Sequence, residues 1–281
     1  MEIYLTSSPF AGHENPEESH TDSSGRALSE KNGFAGRIRK SAAGCRNGLF
    51  VASDPDAPSF MDQFAQDVWT GMEKSGINLQ NKRVLDRRNA AAAARLVTES
   101  DFIVLAGGHT PTQNRFFREI GLKQLLEDRG QLPGPFVIMG ISAGSMNAAE
   151  LVYAMPEEEG ESLDPSYERF LPGLGLTDAM IVPHYQRIKD GILDGKRLFE
   201  EIGAPDSMGR TIYLLNDGSY LYIRRNFMPA APGKGMLKAS MNSVMGNGQG
   251  EQSCFYGELH IMKDGKIRKI AEDGKATAII S

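Results

Sequence analysis

The sequence predicts an α/β protein, with a mostly parallel sheet flanked by helices through about residue 215 and a C-terminal antiparallel β appendage after it. Three observations carry that prediction. As far as about residue 215, short apolar runs alternate with amphipathic stretches, the pattern of strands joined by helical crossovers. One of those runs, Phe136 to Met139, passes through Gly140-Ile141-Ser142-Ala143-Gly144 straight into small, helix-favouring residues. Such a passage is the strand, sharp turn and helix of a nucleophile elbow. Beyond Asn216 the texture changes to short β-rich runs separated by Asp-Gly pairs.

Taken in order, Glu2 to Thr6 is the first strand and ends in Ser7-Ser8-Pro9. The next stretch, about 10–47, is rich in Gly, Ser, Glu and Asn with little periodicity, so a long irregular insert is expected. Gly48 to Ala52 is a second strand, and Asp54-Pro55-Asp56 turns it into a helix bearing Phe60, Phe64, Val68 and Met72 at intervals of four. A weaker strand near Arg83 to Leu85 and an Ala-rich helix from Asn89 to Val97 precede a buried strand, Phe102 to Ala106. It stops at Gly107-Gly108-His109-Thr110-Pro111. There Thr110 and Gln113 have capping-box spacing, and the helix they begin directs Phe116, Phe117, Ile120 and Leu125 inward.

After the elbow comes an acidic loop, Met155 to Glu161, then a strand at Ala179 to Val182 that stops at Pro183-His184-Tyr185. A helix near Gly191 to Ile202 and a strand at Thr211 to Leu215 complete the alternation. Asp217-Gly218, Asp264-Gly265 and Asp273-Gly274 read as hairpin-type turns between runs such as Tyr220 to Ile223 and Phe255 to Met262. Residues 1–225 are expected to form the core, with 226–281 as a β-rich appendage of the same domain.

Composition narrows the function. A chain of 281 residues with 40% apolar and 24% charged residues has the make-up of an ordinary globular domain. Its net charge of −5 leaves no electrostatic footprint for nucleic acid, and the basic run Arg37-Ile38-Arg39-Lys40 reads as a solvated face. Cys45 and Cys254 lie far apart without metal-ligand spacing, so neither a disulfide framework nor a metal site is expected. No signal-peptide core and no membrane-length apolar run are evident, which predicts a cytoplasmic protein without membrane contacts.

The elbow supplies chemistry. Glycines two before and two after Ser142 allow the close backbone approach that the turn imposes, leaving the hydroxyl exposed above the sheet. A serine hydroxyl needs a base within reach and donors for the oxyanion it generates. Of the five histidines, His13 and His20 fall in the irregular insert and His260 in a late β run, whereas His184 ends a strand. That strand is expected to end on the same side of the parallel sheet as the elbow strand, so both ends open on one crevice, and His184 is the candidate base. His109, beside the Gly-Gly turn, is a candidate substrate contact. The N–H of Ala143 is one expected oxyanion donor, and Gly107 or Gly108 supplies the second. A carboxylate to orient the imidazole is sought in the loop between Ser142 and His184, which offers Glu157, Glu158, Glu159, Glu161 and Asp164.

Four landmarks in order, Ala106 to Thr110 (AGGHT), Gly140 to Asn147 (GISAGSMN), Leu171 to Tyr185 (LPGLGLTDAMIVPHY) and Leu214 to Leu221 (LLNDGSYL), resemble the S51 family of serine peptidases. This is the peptidase E (α-aspartyl dipeptidase) and cyanophycinase group, and the likeness runs from the first strand to about Ile223. It implies a fold like class I glutamine amidotransferase domains, flavodoxin-like in outline, with Ser142 as nucleophile, His184 as base, and Gly108 and Ala143 as oxyanion donors. It also implies an acid in the loop after the elbow helix. Counting forward from the serine favours Glu157, and counting back from the histidine favours Glu159 to Glu161. Where the family has G-G-N-T this chain has Gly107-Gly108-His109-Thr110, which changes the group presented to substrate.

The resulting expectation is a serine-type peptidase that hydrolyses a peptide or isopeptide bond in a small substrate, a dipeptide with an acidic (Asp) acyl-side residue, through an acyl-enzyme on Ser142. Arg187, and alternatively Arg115, is a candidate to hold a substrate carboxylate. No cofactor or metal is implied; the partner is a small peptide substrate, with a homodimer left open. The competing expectations are a catalytically silent amidotransferase-like module that binds small molecules and an α/β-hydrolase esterase.

Overall fold

The computed structural model describes residues 1–12, 25–225 and 251–279. His13, His20 and the first part of the expected appendage lie outside the described residues. Five strands form the parallel heart of the main sheet: β1 (Glu2–Thr6), β2 (Asn47–Val51), β3 (Asn81–Leu85), β4 (Phe102–Leu105) and β5 (Val137–Ile141). They lie in the order β1-β5-β4-β2-β3, so the elbow strand sits between β1 and β4. Every residue of β4 and β5 is buried, as a strand covered on both faces requires.

Helices cover both faces: α1 (Phe34–Ser41), α2 (Pro58–Lys74), α3 (Ala93–Thr98), α4 (Thr110–Glu119), α5 (Leu122–Gly130) and the short elbow helix α6 (Ala143–Met146). α1 corrects the expectation of a wholly irregular insert. Within the basic run read as a solvated face, Ile38 is buried and Arg37 lies over the ring of Tyr256 at 4.2 Å. In α2 the spacing-of-four stripe holds for Val68 and Met72, which are buried, and Phe64, which packs partly buried against the core, but not for Phe60, which remains 67% exposed; Met61, Ala65 and Trp69 are buried as well. The capping box at the start of α4 does not form; Thr110 bonds to Glu157, and Gln113 donates to the carbonyl of Ala106 at 2.7 Å.

A ribbon of β6 (Leu151–Tyr153) and β7 (Phe170–Pro172) follows the elbow. Next come β8 (Met180–Val182) and α7 (Tyr185–Ile188). The helix expected near Gly191 to Ile202 is instead a small hairpin, β9 (Ile192–Leu193) and β10 (Lys196–Arg197), followed by a π-helical turn from Leu198 to Gly203 and by α8 (Ala204–Asp206). Asp194-Gly195, both at positive φ, makes that hairpin turn.

The remaining strands are β11 (Thr211–Leu215), β12 (Tyr220–Arg225), β13 (Glu251–Tyr256), β14 (Leu259–Lys263), β15 (Lys266–Ala271) and β16 (Ala276–Ala278). They divide between two sheets. β12, β13 and β16 extend the main sheet antiparallel from β1, while β14 and β15 join β11 and β8 in a second sheet ordered β15-β14-β11-β8. The expected C-terminal antiparallel strands are therefore present and woven into both sheets. The Phe255 to Met262 run breaks at Gly257 because its halves serve different sheets, and of the three C-terminal Asp-Gly pairs only Asp264-Gly265 closes a hairpin.

Candidate active site

The elbow is built as its glycines require. Ser142 takes φ 48°, ψ −113°, a backbone position costly for a side-chain-bearing residue and held by its surroundings. Its N–H donates to the carbonyl of Thr6 at 3.0 Å, and Ser145 Oγ donates to that same carbonyl at 2.8 Å, bolting the turn to the end of β1. A Cβ on Gly144 would press into the Leu105 carbonyl, and one on Gly140 would stand 3.0 Å from the backbone of Ser145. Behind α6, Asn147 Nδ2 donates to the carbonyl of Thr110 (3.1 Å) and to Gln113 Oε1 (3.0 Å), tying the elbow to α4.

His184 meets Ser142, but not by the expected route. β8 belongs to the second sheet, parallel to β11, and that sheet converges on the main one at the ends of β1 and β5. His184 itself has φ 58° and starts α7, which turns its imidazole back over the elbow. Nε2 lies 2.9 Å from Ser142 Oγ. Nδ1 lies 2.7 Å from Asp217 Oδ1. The carboxylate fixes Nδ1 as the protonated nitrogen and leaves Nε2 free to accept from the serine.

Asp217 therefore occupies the position sought among the glutamates of the acidic loop. It follows β11 as His184 follows β8, so the parallel pair presents both residues side by side. Its side chain has no solvent exposure. Oδ1 also accepts from Ser7 Oγ at 2.6 Å, and Oδ2 accepts from Gln186 Nε2 at 2.8 Å with the Arg187 guanidinium at 3.5 Å. Burial pushes the Asp217 carboxyl up, but the hydrogen bond and charge of His184, the Ser7 hydroxyl and Arg187 outweigh it and hold it well below the ordinary carboxylate range. Ser7 also accepts the backbone N–H of His184 at 2.7 Å.

The other candidates are elsewhere. Glu157 Oε1 accepts from Thr110 Oγ1 at 2.7 Å. Although Glu157 keeps a solvent-facing edge, the protein packed around it raises its carboxyl above the ordinary range, against the bond from Thr110 and the His109 charge. Glu161 bonds to His109 Nε2 at 2.8 Å and accepts the N–H groups of Glu157 and Glu158. Glu159 is exposed. None of the three bonds to His184: Glu157 is held by Thr110 and Glu161 by His109, at and just before the start of α4. His109 is held by both ring nitrogens, the second by Thr112 Oγ1 at 2.8 Å. His109, Glu158 and Glu161 each offer a ligand atom within 4.8 Å of the others, but the His109 and Glu161 atoms are already paired to each other.

Two cavities flank the Ser142–His184 pair. The larger, about 530 Å³, is walled by Pro9, Phe60, Phe64, Gly107, Gly108 and Arg187. The smaller, about 310 Å³, is mainly apolar and includes Met155, Glu157, Ile192 and Leu198. Neither includes His109 or Arg115. The N–H groups of Ala143 and Gly108 have no partner among the described residues, which leaves both available to an oxyanion beside Ser142.

The family model described as peptidase family S51 matches residues 34–228. No curated protein matches significantly. Among solved structures, a peptidase from an acI-B1 Actinobacterium is similar in fold, with TM-score 0.60 and 14% identity, over 99% of this chain and 96% of that one. A putative peptidase E protein from Listeria monocytogenes EGD-e gives TM-score 0.48 and 15% identity over 79% of this chain and 93% of its own.

Proposed function

This chain belongs to peptidase family S51, and we propose that it works as a serine-type peptidase on small peptides, through an acyl-enzyme on Ser142. The observation that carries the reading is the unbroken chain from Ser142 Oγ to His184 Nε2 (2.9 Å) and from His184 Nδ1 to Asp217 (2.7 Å). Ser142 Oγ attacks the scissile carbonyl as Nε2 takes its proton, and Asp217 stabilises the imidazolium. Gly108 and Ala143 N–H groups receive the oxyanion. His184 then returns the proton to the leaving nitrogen, and water, deprotonated by the same imidazole, releases the acyl group.

The cavities bear on specificity. An acidic acyl-side residue, as in an Asp-X dipeptide, would meet Arg187 in the larger one, whose lining also includes Asp67. The smaller cavity carries Glu157 among apolar walls, so it suits a neutral group or a substrate ammonium. Phe60, exposed at the mouth of the larger cavity, offers an apolar surface to the rest of the substrate. No helix among the described residues is long and apolar enough to cross a membrane. Cys45 and Cys254 are both free, Cys45 buried and Cys254 half-buried.

Hydrolysis of a panel of Asp-X, Glu-X, Gly-X and β-Asp-Arg dipeptides by the wild type and Ser142→Ala tests the reading. Cleavage of one class, lost in the variant, is expected. Equal turnover by both proteins would remove Ser142 as the nucleophile, whereas none by either, with no acylation of Ser142, would return the chain to a binding role.

A further inference from the structure

We propose that Ser53 is a positioning residue of the oxyanion hole: its hydroxyl sets the Gly107–Gly108 peptide so that the Gly108 N–H faces the oxygen of the substrate carbonyl attacked by Ser142. This inference rests on the serine peptidase reading above. Ser53 follows β2, the neighbour of β4, so it stands beside the turn that follows β4. It is almost fully buried, and its Oγ donates to the carbonyl of Gly107 at 2.6 Å. The other acceptor in reach is Met61 Sδ at 3.5 Å, a much weaker partner.

A trans peptide is planar, with its C=O and N–H pointing in opposite directions. Holding the Gly107 carbonyl on the Ser53 side therefore turns the Gly108 N–H to the other side. Gly107 abuts the nucleophile there: a Cβ on it would stand 3.3 Å from Ser142 Cβ, and both glycines line the larger cavity with Ser142. The Gly108 N–H has no partner among the described residues.

Two adjacent glycines make this peptide easy to rotate, and Gly108, at φ +153°, holds a conformation that side-chain-bearing residues rarely adopt. A rotated peptide would present a carbonyl oxygen where the oxyanion forms. Ser53 removes that freedom before substrate arrives, and a donor oriented in advance spends nothing on reorganisation in the transition state. Tight packing reinforces the arrangement, since a Cβ on Gly108 would lie 2.7 Å from Ser53 Cβ.

The test needs no knowledge of the natural substrate. Phosphonylation of Ser142 by a fluorophosphonate, with loss of fluoride, places a phosphonyl oxygen in the oxyanion hole, so its rate reads donor alignment. Wild type, Ser53→Ala, Ser53→Thr and Ser142→Ala are compared for the limiting labelling rate, the half-saturating probe concentration and thermal midpoint. Ser53→Ala is expected to label about 10- to 100-fold more slowly at saturation, less than the loss of a whole donor. Half-saturation should stay within about twofold and the midpoint near wild type, with Ser53→Thr recovering the rate. Labelling of Ser53→Ala at the wild-type rate, or a loss that tracks the thermal midpoint and is not recovered by Ser53→Thr, overturns the role of Ser53 and leaves the peptidase reading standing. A wild type that does not label at Ser142 overturns both.

Discussion

Ser7 and Asp217, 210 residues apart in sequence, share a 2.6 Å hydrogen bond beside the imidazole of His184. The same Ser7 hydroxyl accepts the His184 backbone N–H, so one side chain orients His184 and its carboxylate partner together. Ser7→Ala leaves a buried N–H and a carboxylate oxygen each short of a partner. A loss of about 1–3 kcal/mol in stability is expected from urea midpoints, with roughly a tenfold fall in kcat. Unchanged kcat would reduce Ser7 to packing.

Asp217→Asn should lower kcat by about 10³- to 10⁴-fold with the fold intact, because an amide can hold the imidazole in the wrong tautomer. Glu159→Gln and Glu161→Gln, measured in the same peptide assay, should stay within about threefold of wild type. The reverse ranking would put the acid back in the loop after the elbow helix.

The depressed Asp217 carboxyl has a consequence for stability. A carboxyl whose folded value lies below its unfolded value of about 3.9 binds protons more readily in the unfolded chain. Its stabilising contribution is complete above about pH 4 and is lost as pH falls toward the folded value. The stability difference between wild type and Asp217→Asn, from urea melts, should therefore shrink as pH falls below about pH 4. A difference that stays constant down to pH 3 would contradict the assignment.

The parts of the site made by local sequence were legible. Gly140, Ser142 and Gly144 encode their turn within five residues, and Gly107-Gly108 and Pro183-His184 mark strand ends. Asp217 was not, because Asp217-Gly218 also suits a hairpin turn, and that local signal hides a carboxylate serving His184 across two strands of the second sheet. The clue lay in chain order: two parallel strands, each with an ionisable residue two positions past its end. Ser7 was hidden similarly, as a plain strand terminus. Phe60 shows the converse, since an interval of four promised burial while the helix turned it toward the cavity mouth.

Gly144→Ala should cost several kcal/mol or prevent folding, because the added methyl meets the Leu105 carbonyl and lies 2.8 Å from the Ala106 oxygen, both backbone groups that cannot step aside. Gly36→Ala in α1 has open space around it and should stabilise the protein by about 0.5–1 kcal/mol. Thermal midpoints of the two variants check both signs.

The central claim is that Ser142 is a nucleophile activated by His184. Intact-mass and peptide-mapping spectrometry after fluorophosphonate treatment tests it most directly, on wild type, His184→Ala and Ser142→Ala. A single adduct on Ser142 is expected in the wild type, formed at least about a hundredfold more slowly in His184→Ala and absent from Ser142→Ala. An unmodified wild type, or an adduct that persists in Ser142→Ala, would contradict it.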